Sequence, residues 1–100
     1  MRNDKVALVT LLPDENNVNE KQIIVFAEKK SVVRTEFYAA YGVGLNAKWT
    51  FNINPGDYEM TRFVINGEEF YASQLIYNGA RFDIVRTYKT NADNMEVVVK

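Results

Sequence analysis

Short apolar stretches alternate with turn-forming clusters along this chain, and their spacing predicts a β protein. Lys5–Leu12 is a nearly continuous apolar run, the mark of a strand whose solvent side the pattern does not assign. Pro13-Asp14-Glu15-Asn16-Asn17 breaks it, with Asn16-Asn17 as the expected tip of a hairpin into a second strand at about Lys21–Lys30. Within that strand Ile23–Ala27 is an apolar run rich in β-branched and aromatic residues and predicts burial on both faces. A third strand, Lys48–Asn54, alternates strictly and sets Trp49, Phe51 and Ile53 on one face. Pro55-Gly56 reads as a breaker pair opening a loop through Asp57-Tyr58-Glu59. Arg62–Ile65 and Glu69–Ala72 flank Asn66-Gly67, and Gln74–Tyr77 and Ala80–Lys89 flank Asn78-Gly79. Asn-Gly pairs favour two-residue type I′ hairpins, because both residues tolerate positive φ. Thr90–Asn94 is a polar turn before a last strand, Met95–Lys100, whose Val97-Val98-Val99 needs a neighbour or a cover if it lies at a sheet edge.

One segment departs from the strand period. Between strands two and three, Val33, Phe37 and Tyr41 recur at helical spacing, Ser31 can cap the helix start, and Gly42 and Gly44 can end it. The pattern therefore predicts an all-β domain, a small antiparallel barrel or sandwich, with one short α-helix over Val33–Tyr41 between strands two and three. Val33, Phe37 and Tyr41 are suited to covering one end of the sheet. Arg34, Glu36 and Tyr38 on the other face, with the loop Gly42, Val43, Gly44, Leu45 and Asn46, are suited to meeting partners.

One hundred residues make a single domain spanning 1–100. The net charge of −1 supplies no global attraction to nucleic acid or to an anionic membrane. The absence of cysteine excludes disulfides and thiolate chemistry, and the absence of histidine removes the commonest general base and metal ligand. Ser31 and Ser73 therefore lack an activating imidazole, and Gly42-Val43-Gly44 lacks the rest of a phosphate-binding loop. Asp57 and Glu59 could share one side of an extended segment, as a metal or hydrolytic site would need, but beside Pro55-Gly56 they read first as turn residues. No catalytic residue, cofactor or metal is expected. Lys29-Lys30 with Arg34 is the densest basic cluster, flanked by Glu28 and Glu36, and reads as a solvated face. Tyr77, Phe82 and Tyr88 with Arg81 and Arg86 mix aromatics and cations, either as a cross-strand ladder or as a stacking surface for single-stranded nucleic acid. The first residues carry no leader-like apolar core, and Val6–Leu12 is too short to span a bilayer, so a soluble cytoplasmic protein with no membrane partner is expected.

Phe26-Ala27-Glu28, Ser31 and Glu36-Phe37-Tyr38, followed in order by Phe51-Asn52-Ile53, Asp57-Tyr58, Tyr77-Asn78-Gly79, Phe82–Tyr88 and Met95-Glu96-Val97, resemble the head–tail adaptor (head closure, head–tail joining) proteins of tailed phages and prophages. The resemblance covers nearly the whole chain. Against the family pattern, Asn66–Gln74 looks like an added hairpin arm. The resemblance implies a non-enzymatic virion protein that forms a ring of its own copies between portal complex and tail, found in the host cytoplasm during assembly. Portal or adaptor proteins and tail-completion proteins would be its partners, and whether the free chain is a monomer stays open. It further implies that Arg34–Ala47 faces the DNA channel, with non-specific DNA contact there, and that Asp57, Tyr58, Arg86 and Tyr88 are family-motif or interface positions. Barrel faces and the arms near Met1–Leu12 and Pro55–Ala72 would meet neighbouring copies and adjacent rings. Two alternatives are a single-stranded nucleic-acid-binding barrel and a tail-terminator or tail-completion ring.

Overall fold

The structure, a computed structural model, describes residues 2–13, 18–31 and 49–100. Its strands are β1 (Asp4–Pro13), β2 (Val18–Ser31), β3 (Trp49–Ile53), β4 (Phe63–Ile65), β5 (Glu68–Phe70), β6 (Gln74–Tyr77), β7 (Ala80–Lys89) and β8 (Met95–Val99), with a helix, α1 (Pro55–Glu59), between β3 and β4. Six strands close into an antiparallel barrel in the order β1-β2-β3-β8-β7-β6, and β4-β5 forms a separate two-stranded arm. The β1–β2 hairpin is the longest ladder, pairing Asp4 with Ala27 through to Pro13 with Val18. The barrel shuts where Ala7, Leu8 and Val9 pair with Ile76, Leu75 and Gln74. Closure answers the edge problem of Val97-Val98-Val99, because β8 has β3 on one side and β7 on the other.

Strand alternation fills the interior with Val6 and Leu8 of β1, Val25 and Ala27 of β2, Phe51 and Ile53 of β3, Leu75 of β6, and Val97 and Val99 of β8. The alternation corrects the expected two-sided burial of Ile23–Ala27: Ile24 is 66% and Phe26 55% exposed on the outer wall. A closed barrel is one layer thick, so a continuous apolar run still has a solvent side unless something covers it. On β1 something does. Val9 faces outward yet is fully buried, with Gln22 and Gln74 opposite it on its two neighbouring strands. On the same wall Arg81 donates to Glu20 at 3.0 Å and to Gln74 at 2.7 Å, while Gln22 donates to Glu20 at 2.6 Å.

The segment expected to be a loop at Pro55–Glu59 is helical. The side chain of Asn54 accepts from the Gly56 N–H at 2.8 Å, Pro55 opens the first turn, and Asp57 adds a negative charge there. Residues that break a strand are also good helix starters: Pro lacks only an N–H that the first turn leaves unpaired. The helix Val33–Tyr41 expected between strands two and three lies outside the described residues, as does the tip Asn16-Asn17. Both Asn-Gly pairs turn as predicted, with Asn66 and Gly67 at φ 52° and 80° and Asn78 and Gly79 at 51° and 79°.

Thr61 bolts the α1–β4–β5 unit onto the barrel. Its hydroxyl donates to the Tyr58 carbonyl at 2.7 Å and accepts from the Ala72 N–H at 3.0 Å, while the Thr10 hydroxyl donates to its carbonyl at 2.8 Å. At the chain start Arg2 reaches Asn52 at 3.1 Å and Asn94 at 2.9 Å, clasping β3 to the β7–β8 turn. Residues 2–12 are therefore part of the barrel and its clasp, not a free arm.

Phe51→Ala, which empties a fully buried site, is expected to cost about 3–5 kcal/mol. Thr61→Val keeps the volume but strips the partner of the Ala72 N–H and is expected to cost about 1–3 kcal/mol. Urea denaturation followed by circular dichroism checks both: the midpoint should fall with the slope unchanged.

Candidate functional site

Strand parity builds a cluster that the sequence reading did not assemble. Val25 and Ala27 point inward, so Lys29 does too, and it pairs across the ladder with Phe51. Trp49, two residues before Phe51, shares that face, and Tyr77 reaches it from β6. Lys29 Nζ lies 4.1 Å from the Trp49 ring centroid and 5.0 Å from that of Tyr77. Tyr77 in turn packs against Phe51 at 5.3 Å with the rings tilted by 58°. The negative faces of two rings hold one ammonium at this mouth of the barrel. Lys30, one residue on, points outward, 3.9 Å from Glu28. The basic pair Lys29-Lys30 is thus one caged charge and one solvated charge. The signal was present in the sequence: Lys29 has the parity of Val25, and Trp49 that of Phe51.

The same mouth is where β2 ends and β3 begins, since Ser31 pairs with Trp49. Residues 32–48 join these two paired positions. A hairpin needs about two to five residues for such a connection, so the barrel's geometry does not demand one this long. The expected partner-facing residues Arg34, Glu36, Tyr38, Gly42, Val43, Gly44, Leu45 and Asn46 all fall in this connection and lie outside the described residues.

The four other predicted positions do not form one site. Asp57 sits in the first turn of α1. Tyr58 is a structural bolt: its hydroxyl donates to the Ala72 carbonyl at 3.2 Å, and its ring stacks on Tyr71 at 5.5 Å. Burial, followed by the neighbouring Tyr71 and Glu59, raises its pKa above the usual 10.0. Arg86 and Tyr88 share the outer wall of β7, opposite Val98 and Glu96 of β8. Between Ile84 and Arg86 the register slips by one, so Val85 also emerges on the surface. The mixed aromatic–arginine hairpin is split by the fold: Tyr77 and Phe82 pack against the core, Arg81 is held by Glu20, and Tyr88 is exposed. The Arg81 hydrogen bond, with that of Gln22, also lowers the Glu20 pKa. Among the described residues no group of three or more acidic, histidine or cysteine side chains could hold a metal ion. No described helix is long and apolar enough to cross a membrane. Neither a protein-family model nor a curated protein matches this chain.

Lys29→Ala is expected to lose about 0.5–2 kcal/mol of stability and to shift the fluorescence of Trp49, the chain's single tryptophan, as its ring gains water. Lys30→Ala serves as the control with little effect on either. Because the folded protein holds the Tyr58 proton more tightly than the unfolded chain does, that contribution to stability is complete below pH 10. It should be lost as pH rises through the folded pKa. Denaturation midpoints measured from pH 8 upward should fall above about pH 10, and less steeply in Tyr58→Phe.

Proposed function

We propose that this protein is a non-enzymatic assembly component of a tailed phage or prophage, a head–tail connector that rings the passage between portal complex and tail. The observation that carries this reading is the long connection 32–48, which leaves and re-enters the barrel at one paired position, Ser31 and Trp49. A barrel that satisfies its own edges is a stable ring subunit, and a long insertion at one mouth is the means by which such a subunit reaches an axis. The ordered sequence resemblance supports the same assignment, with portal and tail-completion proteins as partners and the head–tail junction of the virion as location. Its work is docking and occlusion of DNA by residues 34–47, not chemistry.

A second reading has one observation in its favour. Lys29 with Trp49 and Tyr77 combines a cation and two rings at a barrel mouth, the ingredients of a single-strand binding surface. Both rings already hold the Lys29 ammonium, however, and this weakens their offer to a base.

Affinity-tagged protein recovered from phage-producing cells is expected to bring down portal or tail-completion proteins. Deletion of Gly42–Asn46 is expected to leave the barrel folded while particles lose packaged DNA. Particles that retain their genomes after that deletion would overturn the channel role. Recovery of nucleic acid alone, released by moderate salt, would move the assignment to the second reading.

A further inference from the structure

We propose that the open edge of β4 is a docking site for an extended, basic segment of a partner protein, which joins the β4–β5 arm as a third strand. The inference goes beyond the connector reading and does not need it. Where that reading holds, a portal or tail-completion protein supplies the segment.

Each of the six barrel strands has a neighbour on both sides, whereas among the described residues β4 has only β5. The far side of β5 is less open, because β5 lies close to β1. Turn chemistry fixes what the β4 edge presents. The Asn66-Gly67 turn closes on Ile65 opposite Glu68, and in a two-residue hairpin that flanking pair exchanges the hydrogen bonds. Val64, opposite Glu69, therefore turns its N–H and C=O away from β5, out along the free edge. Neither group has a backbone partner among the described residues. The Val64 side chain is 50% exposed, and that of Met60, where the chain leaves α1 for β4, is 67% exposed. Natural edges are commonly guarded by lysine, proline or a bulge. Phe63-Val64-Ile65 has none of these, and its brevity is its only guard. A strand added there gains few main-chain bonds, so an isolated segment should bind weakly.

Charge selects the occupant. Arg62, which leads into β4, donates its N–H to the Glu59 carbonyl at 3.1 Å, and its guanidinium is bound to Glu69. Glu59 and Glu68 stand beside this pair with no cation of their own among the described residues. A basic segment laid on the edge meets these carboxylates favourably. An acidic segment, or the same arm of a second copy, sets like charge against like.

Amide hydrogen exchange read by NMR on isotopically labelled protein tests this, with a capped peptide of alternating lysine and valine as the probe. At millimolar peptide the Val64 amide is expected to shift and to slow its exchange at least severalfold. The Ile65 amide, already bonded to β5, should change little. The same peptide with glutamate in place of lysine should leave Val64 unaffected. Val64→Pro removes the outward N–H at a position where an edge strand tolerates proline, so it should abolish the peptide-induced shifts with little change in melting temperature. Glu68→Lys keeps every main-chain bond and should weaken peptide binding severalfold. An unprotected Val64 amide, equal protection by the acidic peptide, or shifts centred elsewhere on the barrel overturns the proposal. So does protection that appears with protein concentration alone, which would mean that two copies pair through this edge. The connector reading fails separately: portal and tail proteins that co-purify equally with Val64→Pro keep the function and discard the edge, and peptide capture without those partners does the reverse.

Discussion

The seam between β1 and β6 is the contact on which the rest of this molecule depends. Three residue pairs make it, with Leu8 opposite Leu75 at its centre and both side chains fully withdrawn from water. Of the other ladders, β1–β2, β6–β7 and β7–β8 join strands linked by short stretches of chain, β2–β3 spans the connection 32–48, and β3–β8 is, like the seam, a long-range pairing. Without the seam the six strands would form an open sheet with β1 and β6 as bare edges, prone to pairing with other chains. With it, the inward residues of all six strands share one core, and each strand is left with a single outer wall.

That one-layer construction explains where polar groups had to be placed. Val9 faces outward at the seam yet is fully buried, and the neighbouring wall positions Gln22 and Gln74 belong to a hydrogen-bonded group with Glu20 and Arg81. The α1–β4–β5 unit belongs to the fold for a comparable reason. A two-stranded arm cannot stand alone in water, and the Thr10–Thr61–Ala72 hydrogen bonds fasten it where β1 runs past the barrel seam. The same economy makes the uncovered places informative. Ile24 and Phe26 stay more than half exposed, and Val85 and Tyr88 also reach the surface. A mouth that seats a lysine between two rings, and exposed apolar side chains on two walls, are what the barrel leaves at its surface.

Much of this was legible in the chain. The two Asn-Gly pairs set two hairpins because only residues that tolerate positive φ turn so tightly. The alternation of Trp49, Phe51 and Ile53 set the inner face of β3. The missing histidine and cysteine exclude imidazole and thiolate chemistry from composition alone. Pro55-Gly56 ends a strand and also starts a helix, because Asn54 supplies the cap that turns a strand-ending proline into the first residue of a turn.

Local spacing determined the strands and the turns, since each depends on residues within a few positions of one another. Only the tertiary structure decided barrel over sandwich, because closure rests on Leu8 meeting Leu75 across 67 residues of chain. Only it decided that Ile24 and Phe26 face water while Val9 does not, because burial depends on what lies across the wall and not on the residue itself. And only it brought Lys29, Trp49 and Tyr77 together, from three strands with no shared motif, at the mouth where residues 32–48 depart.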